Sequence, residues 1–152
     1  MDRPPPIERQ TMRLFKIAIL GFVAGFIAVL IFHQGLWYLF ELVGFFPFTR
    51  PAWALDPIPP FGVPSVVSKA FWGGVWAAAL APLFKDLRGS AYWASWIIVA
   101  SLAPTLVAFF VVPAIKGAAL PLLWPGFPAG LVINAFWGFG TALLLRLMAR
   151  DA

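Results

Sequence analysis

An all-α integral membrane protein with four transmembrane helices is the fold class this sequence predicts, and three observations predict it. The 152 residues are 62% hydrophobic and 17% aromatic but only 11% charged, with a mean hydropathy of +0.89. A soluble domain carries about 25% charged residues. Too few charges remain here to coat a water-facing surface. A soluble globule, a disordered tail and a nucleic-acid binder are excluded together. The second observation is four apolar stretches, each close to the roughly 20 residues a crossing requires. The third is that the basic residues lie between these stretches instead of forming one patch, which is how membrane proteins encode orientation.

Residues 1–13 are polar and contain three consecutive prolines, Pro4, Pro5 and Pro6, which predicts a short flexible tail ahead of a single four-helix domain over 14–152. The first span covers 14–33, an apolar run interrupted only by Lys16. A cleaved signal peptide is the competing reading. The stretch is longer than a usual signal core, however, and His33-Gln34-Gly35-Leu36-Trp37 follows where a small-residue cleavage site would stand, so the span is expected to remain. The second span covers 66–84 and closes at Lys85-Asp86-Leu87-Arg88-Gly89. The third covers 91–112 and stops at Pro113, with Ser101 and Thr105 placed to satisfy backbone groups freed by Pro104. The fourth covers 129–148. Trp37, Trp93, Trp96 and Trp124 fall near span ends, where indoles favour the interface.

Orientation follows from the basic residues. Arg3, Arg9, Arg13, Lys16, Lys85, Arg88, Arg146 and Arg150 fall on one side, and Arg50, Lys69 and Lys116 on the other. The positive-inside bias places both termini and the 85–90 turn in the cytoplasm, with 34–65 and 113–128 outside. Six prolines between Phe45 and Pro64 forbid a regular helix there. With Phe45, Phe46, Phe48, Trp53, Ile58 and Phe61 among them, the segment 45–64 is expected to form an ordered cap on the bilayer. A proline-rich ligand for a peptide groove is a weaker alternative, since its spacing is unspecific.

An internal repeat is visible. Lys69-Ala70-Phe71-Trp72-Gly73 recurs 65 residues later as Asn134-Ala135-Phe136-Trp137-Gly138, with Ala77 matching Ala142 and Leu80 matching Leu145. Gly62-Val63-Pro64 parallels Gly126-Phe127-Pro128 one residue out of step, while the first and third spans show no convincing match. The pattern reads as a parallel duplication of a helical hairpin, with chance similarity of Trp- and Gly-rich helices as the ordinary alternative. Gly21, Gly25, Gly73, Ala77, Gly138 and Ala142 form stripes of small residues four apart, which let helix backbones approach in lipid. Contact of the second span with the fourth through Gly73/Ala77 and Gly138/Ala142 is the expectation.

Polar residues at membrane depth are costly and mark candidate sites. Lys16 and Arg146 sit at span ends and can snorkel. His33, Gln34, Glu41, Lys69 and Asn134 remain, all on the outer side, with Glu41 joining if the first helix runs past Gly35 to Gly44. Their expected arrangement is one polar cluster beneath the cap, Glu41 paired with Lys69 and Asn134 bonded to either. The cluster reads most simply as structural. A proton-coupled path for a small solute or ion is the sharper reading, with His33 as the titrating group. With one His and no Cys, the chain supplies neither a bis-histidine haem nor a thiolate metal site, so no cofactor or metal is expected. No nucleophile or phosphate-loop motif is present, and no catalytic residue is assigned.

Phe32-His33-Gln34, the run Pro59-Pro60-Phe61-Gly62-Val63-Pro64 and Ala70-Phe71-Trp72-Gly73-Gly74 together resemble a set of small, uncharacterised bacterial four-span proteins. The resemblance implies an inner-membrane location and carries no activity. The expected function is a non-enzymatic accessory or oligomerising component of a membrane assembly. Its expected partners are the lipid bilayer and a second copy or other membrane subunits, and no nucleic acid. A small-solute or ion transporter or channel is the alternative. A lipid-binding role is third, and needs an apolar groove open sideways to the bilayer.

Overall fold

The computed structural model describes residues 5–45, 48 and 50–148; Arg3, Pro4, Phe46, Pro47 and Arg150 lie outside the described residues. The first span is a continuous rod built of α1 (Pro6–Ala28), a π-helical turn (Val29–His33) and α2 (Gln34–Leu42). Its 37 residues reach roughly 55 Å at about 1.5 Å each, beyond the roughly 30 Å of a hydrocarbon core. The polar start is therefore helical rather than a loose tail. Pro6 takes the first helical position, where its missing N–H costs nothing, and Arg9 N–H reaches Pro5 O at 3.1 Å. Gly35 does not interrupt the rod. It ends where Gly44 turns left-handed at φ +64, a conformation that costs glycine nothing.

The proline-rich segment folds into a short antiparallel ladder of β1 (Pro57–Ile58) and β2 (Val63–Pro64), in register Pro57 with Pro64 and Ile58 with Val63. Its carbonyls start the next helix: Ser65 N–H donates to Asp56 O and Val66 N–H to Ala54 O, both at 3.0 Å. These bonds satisfy backbone donors that no side chain caps. Among the described residues of the segment, Ala54 is buried.

The second span is α3 (Ser65–Phe84). The third runs through α4 (Gly89–Leu106), a second π-helical turn (Val107–Val111) and α5 (Val112–Lys116). Pro113 therefore does not stop it. The widened turn just before Pro113 absorbs its missing donor, and the helix ends four residues later, where Gly117 adopts φ +59. Ser101 and Thr105 do not serve Pro104 either: Ser101 Oγ donates to Leu131 O of the fourth span at 2.9 Å, and Thr105 bonds there too. The fourth span is α6 (Gly126–Met148). All four spans are long and apolar enough to cross a membrane. Ile98, Leu102 and Leu106 form an outward stripe on the third that would aggregate in water and suits lipid.

Consecutive spans pack as hairpins, and the first span also lies along the fourth, so the helices follow one another as second, first, fourth, third. The small-residue stripes work within hairpins, not between the second and fourth spans as expected. A Cβ on Gly25 would stand 2.6 Å from Gly73 O, one on Gly21 2.6 Å from Ala77 O, and one on Gly138 2.6 Å from Trp96 O. The reason is that such a stripe permits close approach without naming the partner, and the hairpin neighbour is nearest. Between the second and fourth spans, Trp137 reaches across. Its indole passes beside Gly73 and donates to Gly25 O at 3.0 Å, tying the hairpins together. Ala142 is buried, and its carbonyl accepts the Tyr92 hydroxyl at 2.9 Å. Trp96, expected at the interface, is fully buried in this core. Trp124 is 76% exposed.

Buried positions keep a common register in the two hairpins. Tyr92, Trp96, Ala100 and Thr105 of the third span stand 71 residues after Gly21, Gly25, Val29 and Gln34 of the first, and all eight are buried.

Candidate functional site

The polar cluster forms at the proline-rich end of the bundle, around the π-turn of the first span. In that turn Gln34 N–H bonds to Val29 O, one residue further back than in an α-helix, and Leu30 O accepts the Trp53 indole at 2.8 Å. Gln34 is completely buried. Its Oε1 accepts Trp53 N–H at 2.8 Å, and its Nε2 lies 3.2 Å from His33 Nδ1. Trp53 is held at both its backbone and its ring. This double hold keeps a non-glycine residue at φ +52, a region where bulky side chains are strained.

Two turns further along, Glu41 forms a second clasp. Both carboxylate oxygens accept Ala52 N–H, at 3.0 and 3.1 Å, and Oε1 also accepts the Trp37 indole at 3.2 Å. Bonds to an ionised acceptor are among the stronger ones a protein makes. Lys69 does not form the expected ion pair with Glu41. Its ammonium sits 4.3 Å from the centroid of the Trp37 ring, on which Phe48 also stacks at 4.5 Å. Trp37 therefore links the two charges: its N–H faces the carboxylate while its ring carries the ammonium. This polarises the indole in the direction that favours both contacts.

The structure brings together His33, Gln34, Glu41 and Lys69, with Trp37 at their centre. Asn134 does not join their hydrogen bonds. Its Nδ2 donates to Thr105 Oγ1 at 2.8 Å, inside the other hairpin. The register explains why: Thr105 is the third-span counterpart of Gln34 at the 71-residue offset, and Asn134 the fourth-span counterpart of Lys69 at 65. Thr105 and Asn134 thus pair within their hairpin, while Gln34 and Lys69 engage Trp53 and Trp37 instead. Sequence reasoning missed Trp53 and Ala52, which do the clasping. Ala52 acts through its backbone, which no side-chain pattern reveals, and Trp53 reads as one more aromatic in an aromatic segment.

Chemically, the arrangement holds one loop to one helix. Gln34 and Glu41 supply acceptors to backbone donors, Lys69 sits on an aromatic face, and among the described residues no three His, Cys, Asp or Glu side chains converge. No known protein family, curated protein or solved structure matches the chain.

Proposed function

We propose that this chain is a non-enzymatic bacterial inner-membrane protein, with both termini in the cytoplasm, that serves as an accessory or oligomerising component of a membrane assembly. The observation that carries this reading is the engagement of the intramembrane polar groups. Gln34 and Glu41 bind the proline-rich segment, Lys69 lies on Trp37, and Asn134 is bonded to Thr105. Groups held in this way stabilise an outer cap and offer little to a moving solute. The glycine faces are buried inside the hairpins, so association falls to the aromatic faces. Phe71 and Trp72 on the second span are 48% and 59% exposed.

The orientation rests on the positive-inside bias, with Arg13, Lys85, Arg88 and Arg146 all at the end opposite the cap. We further propose that the two hairpins are copies of one ancestral unit. The 65-residue sequence repeat in the second and fourth spans and the 71-residue burial register in the first and third both support it.

The test is the state of the protein extracted in mild detergent. A defined oligomer, or a stoichiometric partner that co-purifies, is expected. A lone monomer without partner would overturn the reading. The solute or ion pathway through His33, Gln34, Glu41, Lys69 and Asn134 would be favoured instead by flux into liposomes that is lost in Lys69→Ala.

A further inference from the structure

Opposite the cap, the four helices leave a cleft of about 490 Å³. Three exposed guanidiniums line it: Arg13 from the first span, Arg88 from the turn before the third, and Arg146 from the fourth. Buried Trp96 and Ala81, with half-buried Ile17, Leu20 and Phe84, make the remaining wall apolar. The lining is thus cationic where it is exposed and apolar where it is buried.

The charge balance at this cleft is uneven. Asp86 pairs with Lys85, and Lys85, Arg13 and Arg88 together hold its carboxyl below the usual carboxylate range, so a single carboxylate stands against the cations gathered here. Among the described residues no carboxylate lies within ion-pair distance of Arg13, Arg88 or Arg146. Arg88 donates to Lys85 O and Leu87 O at 2.8 and 3.0 Å, which anchors it without neutralising it. Arg146 lies 4.7 Å from the centroid of Tyr92 and 5.3 Å from that of Trp93, so aromatic faces fix its position.

Trp96, its indole buried beside the Tyr92 hydroxyl, closes the inner end of the cleft. The third span also starts here, at Gly89, with no side-chain cap on its first turn, and an open helix N-terminus favours negative charge.

We propose that this cleft binds an anionic phosphate group, gripped by Arg13, Arg88 and Arg146. Guanidinium forks match phosphate oxygens in geometry as well as charge. The apolar inner wall favours a phospholipid headgroup as the source, its chains continuing along Leu20 and Phe84, over a free phosphate. Basic pockets between membrane helices on the cytoplasmic side recognise anionic headgroups in this way. The inference does not depend on the accessory role above.

Native mass spectrometry of the full chain, in detergent micelles supplied with phosphatidylglycerol or phosphatidylcholine, tests it. Retention of phosphatidylglycerol about tenfold over phosphatidylcholine is expected. In Arg13→Gln/Arg146→Gln the ratio should fall to near unity. In Arg50→Gln/Lys116→Gln, which removes the same charge at the other end, it should persist. A second arm measures thermal stability with inorganic phosphate. Stabilisation of the wild type but not of the cleft variant, without lipid preference, supports the anion site with a soluble phosphate as occupant. A wild type that responds to neither probe overturns the proposal, whether or not the variant folds. A lipid preference that survives Arg13→Gln/Arg146→Gln overturns it as well.

Discussion

The run Ala-Phe-Trp-Gly occurs twice in this chain, as Ala70-Phe71-Trp72-Gly73 and as Ala135-Phe136-Trp137-Gly138, and the two tryptophans have opposite fates. Trp137 is 2% exposed and bonds the first span; Trp72 is 59% exposed on the bundle's edge. Both glycines are nevertheless buried against the helix that precedes them in their own hairpin. Local sequence therefore dictates contact within a hairpin. What the tryptophan one residue earlier meets depends on its flank. The fourth span has the first span beside it, whereas the second span is the end of the row. The same four residues serve as a bolt in one place and as free surface in the other.

This contrast can be broken or sharpened by mutation. Trp137→Ala should cost the most, about 3–5 kcal/mol, since it opens a cavity and removes the indole bond to Gly25 O that ties the hairpins together. Unfolding in mixed micelles with rising denaturing detergent measures it, and a loss no greater than that of Trp72→Ala would erase the distinction between the copies. Gly25→Val and Gly138→Val should each cost about 1–3 kcal/mol, because the new Cβ meets backbone that cannot swing aside. If only one hairpin responds, the equivalence of their packing fails.

Gln34→Leu removes the acceptor for Trp53 N–H and should cost about 1–3 kcal/mol locally. Hydrogen exchange at the Trp53 amide should then accelerate while the spans stay protected. Unchanged exchange would mean that Glu41 alone suffices to hold the cap. Trp72→Ala should change monomer stability least, by about 0.5 kcal/mol or less. Its effect should appear in the detergent-extracted assembly, which shrinks if this face is where a partner docks.

Much of the architecture was legible because span length and hydropathy answer to bilayer thickness, a constraint that acts on each segment separately. The four apolar spans follow from such local rules, whereas the first was expected over 14–33, with its continuation toward Gly44 left open, and it runs from Pro6 to Leu42. Proline was the residue most easily misread. Pro6 opens a helix and Pro113 is accommodated by a π-turn, although both were expected to mark irregular chain. Proline's cost depends on where its missing donor falls relative to a turn that can widen, and neighbouring packing determines that.

The polar residues divide along the same line. That His33, Gln34, Glu41, Lys69 and Asn134 would need partners was fixed by their type and depth, because an unsatisfied polar group in hydrocarbon is costly. Who the partners are was not. Gln34 and Glu41 bond backbone N–H groups of Trp53 and Ala52, Lys69 chooses an aromatic face over the carboxylate, and Asn134 finds Thr105 across its own hairpin. Nor did the scarcity of charge, read along the chain, reveal that Arg13, Arg88 and Arg146 gather at one cleft. By itself the sequence determined how many helices there are, where they lie and which faces are small. Only the tertiary structure decided which small face meets which, because close approach is a property of two surfaces and a stripe of glycines describes one.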